Sequence, residues 1–372
     1  MKLIDLTPKI YKFTNFSDFA KEFNIGKGDF ILTNKYLYEP FMKELNLEAD
    51  FAFRQNYGKG EPSDEMIDAI AADMKNKKVK RIIAVGGGSI IDICKLLALK
   101  GTEKSIDLFE KKVPIVKEKE LIVVPTTCGT GSEVTNVAIA EIKSKYTKMG
   151  LAVDEIYPDY AVLIPELVKV LPYKFFVTSS IDALIHAVEA YVSPKANDFT
   201  KLFSVQAIKL IVNGYKAVIK NGEEYRNEII EDFIIGSNYA GIAFGNAGVG
   251  AVHALSYPLG GVYHVPHGEA NYQFFIEVFN TYNRLNPNGK IKDLNDILCS
   301  ILQIKDINKV YEKLSEILDK LLARKPLRDY GMKQEEISKF TDSVIEGQQR
   351  LLANNYVFLS QEEIKKIYIK LF

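Results

Sequence analysis

Residues 81–95, "RIIAVGGGSIIDICK", decide the fold. An apolar run ends in Gly86, Gly87, Gly88 and Ser89, and the segment that follows has the pattern of a helix. Glycines let backbone N–H groups come close to a ligand, and the start of a helix favours an anion such as a dinucleotide pyrophosphate. The stretch therefore predicts a strand, an anion-binding turn and a helix. A plain tight turn between strand and helix is the alternative that these residues alone leave open.

The first half of the chain repeats this alternation of strand and helix. Four more apolar runs read as strands, and between them lie helical patterns such as "SDEMIDAIAADMKNK", which Ser63 can cap. Alternating strands and helices predict a parallel sheet covered by helices, and after about residue 171 only helical patterns remain. The sequence thus predicts an α/β domain over residues 1–171, with a candidate dinucleotide-binding turn, and an all-helical domain over residues 172–372. The additional predicted strands are residues 29–33, 51–55, 121–124 and 160–164.

A second polar loop, "VVPTTCGTGSEVT", follows the predicted strand at 121–124. Its Thr126, Thr127 and Thr130 supply hydroxyl groups among glycines. Ligands of open parallel sheets bind outside the carboxyl ends of the strands, so the two loops together favour one nucleotide crevice. The alternative is that these hydroxyls merely cap the next segment. The spacing GxGxxG is absent, and Asp107 is therefore not taken as a ribose-binding acid.

Composition excludes several classes of function. The chain has 372 residues, 47% of them hydrophobic and 26% charged, with a formal net charge of zero. Nucleic-acid and membrane surfaces attract an excess of Lys and Arg, so neither is expected as a partner. No uncharged apolar run is long enough to cross a bilayer, the start "MKLIDLTPKI" does not resemble a signal peptide, and the three cysteines form no CxxC pair. These features predict a cytoplasmic protein.

The four histidines are His186, His253, His264 and His267, and three of them fall within fifteen residues. His186 lies four residues after Asp182 in "SSIDALIHAVEAYVS", so both side chains share one face of a predicted helix that begins near residue 180. Capping offers a second interpretation, in which a serine starts the helix and Asp182 occupies its first turn.

One carboxylate and three imidazoles can hold a divalent metal with one position left open. The residues alone do not decide whether His264 or His267 is the third imidazole ligand, and nitrogen and oxygen ligands suit Zn²⁺ and Fe²⁺ alike. A histidine cluster at an interface or pocket wall, without metal, is the alternative.

Several long stretches resemble the iron-containing (group III) alcohol dehydrogenases: "GGGSIIDICK", "PTTCGTGSEVT", "DALIHAVEAYVS", "GVGAVHALSYPLGGVYHVPHG" and "RLLANNYVFLSQEEIKKIY". The resemblance implies NAD(H), a divalent metal and a homodimer. It assigns the metal to Asp182, His186, His253 and His267, and leaves out His264. In addition to Gly86 of the glycine loop, it implies cofactor contacts at Gly87, Gly88, Ser89, Thr126, Thr127, Thr130 and Lys148.

Two positions depart from the family pattern. Asn34 stands where an aspartate commonly repels the 2′-phosphate of NADP, so we expect NAD(H) to be preferred without NADP being excluded. Tyr257 stands where the family often has a histidine four residues after the first of its late pair. Either Tyr257 or His264 can relay a proton, and either can equally form a wall of the pocket.

The resemblance implies a metal-dependent, NAD(P)-linked dehydrogenase that interconverts a primary alcohol and an aldehyde by hydride transfer. Within the family, the chain is most similar to members that act on 4-hydroxybutyrate, which implies a substrate with a remote carboxylate and makes His264 a candidate partner for it. The alternatives are a general primary-alcohol or diol dehydrogenase, a lyase similar to dehydroquinate synthase, and a non-catalytic nucleotide-binding protein.

Overall fold

The computed structural model describes residues 2–145 and 147–372, which form two compact units. One unit is Leu6–Leu171, and the other is Pro172–Phe372 together with the start of the chain up to Asp5. Asn246 ties this start to the helical unit, since the Asp5 N–H donates to Asn246 Oδ1 (2.6 Å) and Asn246 Nδ2 donates to the Asp5 carbonyl (3.0 Å). Residues 2–5 therefore belong to the helical unit rather than to the unit that contains the sheet.

A six-stranded parallel sheet in the order β1-β8-β5-β4-β2-β3 forms the centre of the first unit. All five predicted strands are present, which confirms the predicted α/β architecture. The sequence analysis missed the short edge strand β1 and the separate antiparallel hairpin β6–β7. The strands are β1 Lys9–Lys12, β2 Asp29–Thr33, β3 Asp50–Phe53, β4 Arg81–Gly86, β5 Glu120–Pro125, β6 Val137–Ile142, β7 Thr147–Ala152 and β8 Tyr160–Leu163.

Successive residues of a strand point to opposite faces of the sheet, and both sets of side chains are apolar here. Helices therefore cover both faces. In β4, Ile82 and Ala84 join one buried cluster, and Ile83 and Val85 join the other. The helices of the unit are α1 Phe16–Glu22, α2 Lys35–Phe41, α3 Asp64–Met74, α4 Gly88–Leu97, α5 Ser105–Phe109 and α6 Pro165–Lys169.

The second unit is helical, as predicted. Its central helix α7 packs against α8, α9, α11 and α12, and α10 packs against α11. The helices are α7 Tyr173–Val192, α8 Asp198–Asn221, α9 Ile230–Ala247, α10 Ala251–Tyr263, α11 His267–Leu285, α12 Lys290–Leu302, α13 Val310–Leu321, α14 Glu336–Gly347, α15 Gln349–Leu352 and α16 Gln361–Leu371.

The start of α7 differs from the prediction. The helix begins at Tyr173, directly after Pro172, and Ser179 and Ser180 lie within it. Their hydroxyls donate back to the carbonyls of Phe176 (3.2 Å) and Val177 (3.1 Å), a bond that serine readily forms inside a helix. Asp182 is therefore in the third turn, where an N-terminal cap has no role, and the capping interpretation is wrong.

Two helices, α7 and α8, are long and apolar enough to cross a membrane by length and composition alone. In α7, 89% of the apolar window is buried within the protein, as is usual for the core helix of a globular domain. The finding is weak evidence for a membrane span.

Candidate metal centre and nucleotide-binding loops

Asp182, His186, His253 and His267 come together in the helical unit. Each offers one ligand atom, and these atoms all lie within 4.8 Å of one another. Helix α7 supplies Asp182 and His186, α10 supplies His253, and His267 is the first residue of α11. Asp182, His186 and His253 are buried, whereas the His267 side chain is 46% exposed. The structure thus brings all four predicted residues into one cluster that is open on one side.

The contacts of His253 fit a metal ligand. Its Nδ1–H donates to Glu189 Oε2 at 2.6 Å, and Glu189 Oε1 accepts a second bond from the Val252 N–H at 2.8 Å. These bonds fix the ring so that Nε2 carries the free lone pair, and Nε2 is buried with no hydrogen-bond partner among the described residues. A histidine held by a carboxylate on one nitrogen is a frequent arrangement at metal sites, and the bare second nitrogen fits a divalent metal ion.

Asn271 orients two other members of the cluster. Its Nδ2 donates to Asp182 Oδ1 at 2.7 Å and lies 3.1 Å from His267 Nε2. Burial alone would raise the pKa of Asp182, but the imidazoles of His186, His267 and His253, together with the Asn271 amide, lower it below its usual range. Asp182 is therefore a carboxylate anion at neutral pH, the form that binds a cation.

Stacked rings place His186 next to His253. The centroids of these two imidazoles are 4.7 Å apart, and Phe244 stacks on the other face of His186 at 4.2 Å. For His253, burial lowers the pKa, but the bond to Glu189 outweighs burial and the net shift is upward. Without a cation, His253 therefore binds a proton more readily than a free imidazole does, and a bound metal would displace that proton.

Gly268 allows α11 to approach α7. A Cβ at this position would lie 2.4 Å from the Thr178 carbonyl oxygen and 3.3 Å from Asp182 Cβ. The first of these distances is far inside van der Waals contact with backbone, so a side chain here would push the two helices apart. The glycine after His267 thus explains how His267 reaches Asp182.

The two remaining predicted catalytic residues, one on α10 and one directly after it, lie outside the four-residue cluster. Tyr257 is half-buried and one helical turn after His253. His264 is exposed and ends the helix in the left-handed conformation (φ 54°).

The two predicted nucleotide loops touch each other at the carboxyl edge of the sheet. They follow the adjacent strands β4 and β5, whose last residues Gly86 and Pro125 are paired. A Cβ on Gly87 would lie 3.2 Å from Thr127 Cγ2, and one on Gly88 would lie 2.9 Å from Thr130 Cγ2. A side chain at Gly88 would force Thr130 to move, so the two loops lie against each other at this edge of the sheet.

Unpartnered hydroxyls lie along this edge. Thr127 Oγ1 and Thr33 Oγ1, the latter at the end of β2, are buried and have no hydrogen-bond partner in the part of the chain that the structure describes. Burial raises the pKa of the Tyr36 phenol, and the neighbouring side chains of Thr126 and Asn34 partly offset the rise. Asn34 precedes α2 without capping it through its side chain, so its amide is not committed to its own helix. These polar groups fit a bound nucleotide.

The last two predicted cofactor residues are at the margins of this edge. Ser89 lies in the first turn of α4, and Lys148 lies on β7, where it forms an ion pair with Glu61. Glu189, Asn271 and Thr33 also belong to these sites but were not predicted from the sequence. Glu189 had a visible signal, since it follows Asp182 by seven and His186 by three residues on an apolar helix, and a buried carboxylate needs a partner.

Comparison with known proteins gives the family. The sequence-family model for iron-containing alcohol dehydrogenases matches residues 11–165. The sequence-family model for the C-terminal part of the Fe-containing alcohol dehydrogenase family matches residues 176–372. The chain belongs to the iron-containing alcohol dehydrogenase family. Membership confirms the predicted enzyme class, a metal-dependent, nicotinamide-linked alcohol dehydrogenase.

Individual relatives match most or all of the chain. The 4-hydroxybutyrate dehydrogenase of Clostridium kluyveri is 65% identical over 372 residues, covering 100% of both chains. Long-chain-alcohol dehydrogenase 1 of Geobacillus thermodenitrificans is 32% identical over 83% of this chain and 79% of its own. Among solved structures, a 1,3-propanediol oxidoreductase (TM-score 0.86, 24% identity, 100% of both chains) has the same fold. The sulfoacetaldehyde reductase of Bifidobacterium kashiwanohense in complex with NAD⁺ shares it as well (TM-score 0.85, 21% identity, 99% of this chain and 98% of that chain).

Proposed function

We propose that the protein is an NAD(H)-linked dehydrogenase that interconverts 4-hydroxybutyrate and succinic semialdehyde. The observation that carries the substrate is the 65% identity, over the full length of both chains, to the 4-hydroxybutyrate dehydrogenase of C. kluyveri. About two thirds of the aligned residues are identical, and the alignment covers both chains fully. We therefore expect the two proteins to bind the same substrate.

We assign the metal to Asp182, His186, His253 and His267. The set contains no thiolate, which fits Fe²⁺ and Zn²⁺, and the family favours Fe²⁺. When bound, the metal supplies a Lewis acid that lowers the pKa of an alcohol oxygen. The protein residues contribute orientation, since Glu189 fixes the tautomer of His253 and Asn271 positions Asp182.

We assign NAD(H) to the carboxyl edge of the sheet in the other unit. Gly86, Gly87, Gly88 and Ser89 bring backbone N–H groups to the pyrophosphate, and Thr126, Thr127, Thr130 and Lys148 line the neighbouring loop and hairpin. The hydride chemistry belongs to the cofactor, and the role of these residues is to hold it in place. Asn34 is a hydrogen-bonding neighbour of the ribose that carries no charge to repel a 2′-phosphate, so NADP(H) is a weaker second cofactor.

We further propose a cytoplasmic homodimer, from the family resemblance and from the cysteines. Cys94, Cys128 and Cys299 form no disulfide bond among the described residues, as expected in a reducing compartment. Tyr257 and His264 are kept as candidates for proton relay or for the wall of the substrate pocket.

A steady-state assay tests the proposed substrate. The Fe²⁺-loaded enzyme with NADH is given succinic semialdehyde or butanal, which has the same chain length and no carboxylate. We expect succinic semialdehyde to be favoured by about tenfold or more in kcat/KM, equivalent to about 1.4 kcal/mol of transition-state binding. Equal rates would make the enzyme a general primary-alcohol dehydrogenase, and no turnover of either aldehyde would reject the proposal as a whole.

A further inference from the structure

A buried lysine in the sheet-containing unit has no role in the function proposed so far. Lys95, on α4, is fully buried (0% exposed). Its ammonium donates to Ser132 Oγ at 2.8 Å, to Thr135 Oγ1 at 3.1 Å and to the Val137 carbonyl at 2.7 Å. An ammonium has three N–H donors, so all of them are used.

Asp92, one helical turn before Lys95 and partly buried, completes the network. Its Oδ1 accepts from Ser132 Oγ at 2.8 Å, and its Oδ2 accepts from the Ile139 N–H at 3.0 Å. The Ser132 hydroxyl thus donates to Asp92 and accepts from Lys95. We call Asp92, Lys95 and Ser132 the clamp.

The clamp connects three of the segments that carry the proposed nucleotide contacts, namely the glycine loop, the second loop and the β6–β7 hairpin. Asp92 and Lys95 stand four and seven residues after Gly88 on the helix that the glycine loop opens. Ser132 ends the second loop, and its N–H donates to Thr130 Oγ1 at 3.3 Å. Val137 and Ile139 belong to β6, which pairs with the strand β7 that carries Lys148. Shifting any one of these segments relative to α4 would break a bond of the clamp.

Stability alone is a poor explanation for these charges. Burial lowers the pKa of Lys95 to about 8 and raises the pKa of Asp92, which means that burial opposes the charged form of both. Apolar side chains of similar volume often stabilise a fold as well as, or better than, a buried ion pair. The directional hydrogen bonds fix the position of the two loops relative to each other.

We propose that Asp92, Lys95 and Ser132 are positioning residues for the dinucleotide, which hold the two glycine-containing loops and the β6–β7 hairpin in the arrangement that binds NAD(H). The inference rests on the proposed nucleotide site. The clamp acts through the loops and does not itself touch the cofactor. Its loss should therefore weaken cofactor binding more than the chemical step.

The test compares the double variant Asp92→Asn/Lys95→Met with Ser132→Ala and the wild type. The double variant removes both charges together, and Ser132→Ala removes only the central hydroxyl. Lys117→Met is the matched control, because Lys117 belongs to the same unit and also donates to a backbone carbonyl, that of Tyr157 (2.7 Å), away from both loops. Each metal-loaded protein is titrated with NADH by fluorescence, and its melting temperature, metal content and steady-state kinetics are recorded.

We expect the Kd and KM for NADH to rise about tenfold in the double variant and at least threefold in Ser132→Ala. The kcat at saturating NADH should stay within about threefold, and metal content should not change. Lys117→Met should bind NADH like the wild type. This split between KM and kcat is the sign of a lost binding arrangement rather than of general damage.

A folded Ser132→Ala that binds NADH within twofold of the wild type would overturn the inference, and so would an equal loss of affinity in Lys117→Met. If the double variant does not fold, Ser132→Ala decides alone. Failure of the wild type itself to bind NADH would reject the proposed nucleotide site, which is a different outcome.

Discussion

The contacts of His253 give the strongest structural support for the candidate metal centre. One ring nitrogen is held by Glu189, and the other is buried without a partner in the described residues, 3.9 Å from Asp182 Oδ1. A buried polar atom left unsatisfied costs about 1–3 kcal/mol. A divalent ion held jointly with Asp182, His186 and His267 would remove that cost.

Glu189→Gln tests the orientation of His253. The substitution keeps the size of the side chain but removes the carboxylate that holds the Nδ1–H. We expect metal affinity to fall about 10–100-fold, the usual effect of losing such a partner, and NADH affinity to stay unchanged. The measurement is competition with a chelator of known affinity. Glu277→Gln, which breaks the ion pair with Lys370 in the same unit, is the control and should hold metal normally; equal affinity in the two variants would refute the role of Glu189.

Asn34→Asp tests cofactor preference. A carboxylate facing a 2′-phosphate is repelled, so the variant should discriminate against NADPH more strongly, by about tenfold or about 1.4 kcal/mol. The ratio of kcat/KM for NADH and NADPH is measured in the variant and in the wild type. A ratio that does not move would mean that Asn34 does not face the adenosine ribose.

His264→Ala tests the partner of the substrate carboxylate. A buried carboxylate needs charge-assisted or multiple hydrogen bonds. His264 is exposed, three residues before the candidate metal ligand His267. We expect the variant to lose most of its preference for succinic semialdehyde over butanal while its rate with butanal is retained. If the preference is preserved, the proposed substrate still stands, but His264 is not the partner of its carboxylate.

The sequence could predict which residues come together in the candidate metal centre, but not which residues hold them in place. Asp182 and His186 were visible through their helical spacing, and the scarcity of histidine pointed to His253 and His267. Asn271 gave no signal, because a single asparagine in an amphipathic helix is ordinary until the fold places it between Asp182 and His267.

At the level of elements, buried strands were predictable and the ends of helices were not. Continuous apolar runs such as residues 82–85 identify parallel strands directly. The edge strand β1, "KIYK", is exposed along its length and lacks that signal. The start of α7 was misplaced because serines mark helix starts statistically, whereas Ser179 and Ser180 here bond back within the helix and Pro172 sets its beginning.

Gly268→Ala tests the packing of α11 on α7. The added methyl group would meet the Thr178 carbonyl at 2.4 Å, so the helices must separate and carry His267 away from Asp182. We expect a loss of about 1–3 kcal/mol in unfolding free energy and a clear drop in metal affinity. Gly261→Ala is the control, since nothing lies within 4 Å of its added Cβ and α10 should be unaffected or slightly more stable. Chemical denaturation and metal titration compare the two, and equal behaviour would contradict the packing argument.

At the scale of the whole molecule, the two proposed sites lie in different units. The nucleotide loops belong to Leu6–Leu171, and all four candidate metal ligands belong to Pro172–Phe372. Each unit has its own buried core, so a change at the metal centre should leave the sheet intact. Metal content and NADH affinity are therefore expected to vary independently in suitable variants.

The central claim is that Asp182, His186, His253 and His267 hold one divalent metal that turnover requires. The most direct test is elemental analysis of His186→Ala after loading with Fe²⁺ and removal of the excess, alongside the wild type and His264→Ala. We predict about one metal ion per chain in the wild type and in His264→Ala, and almost none in His186→Ala, which should still bind NADH. A His186→Ala protein that retains a full equivalent of metal would contradict the assignment.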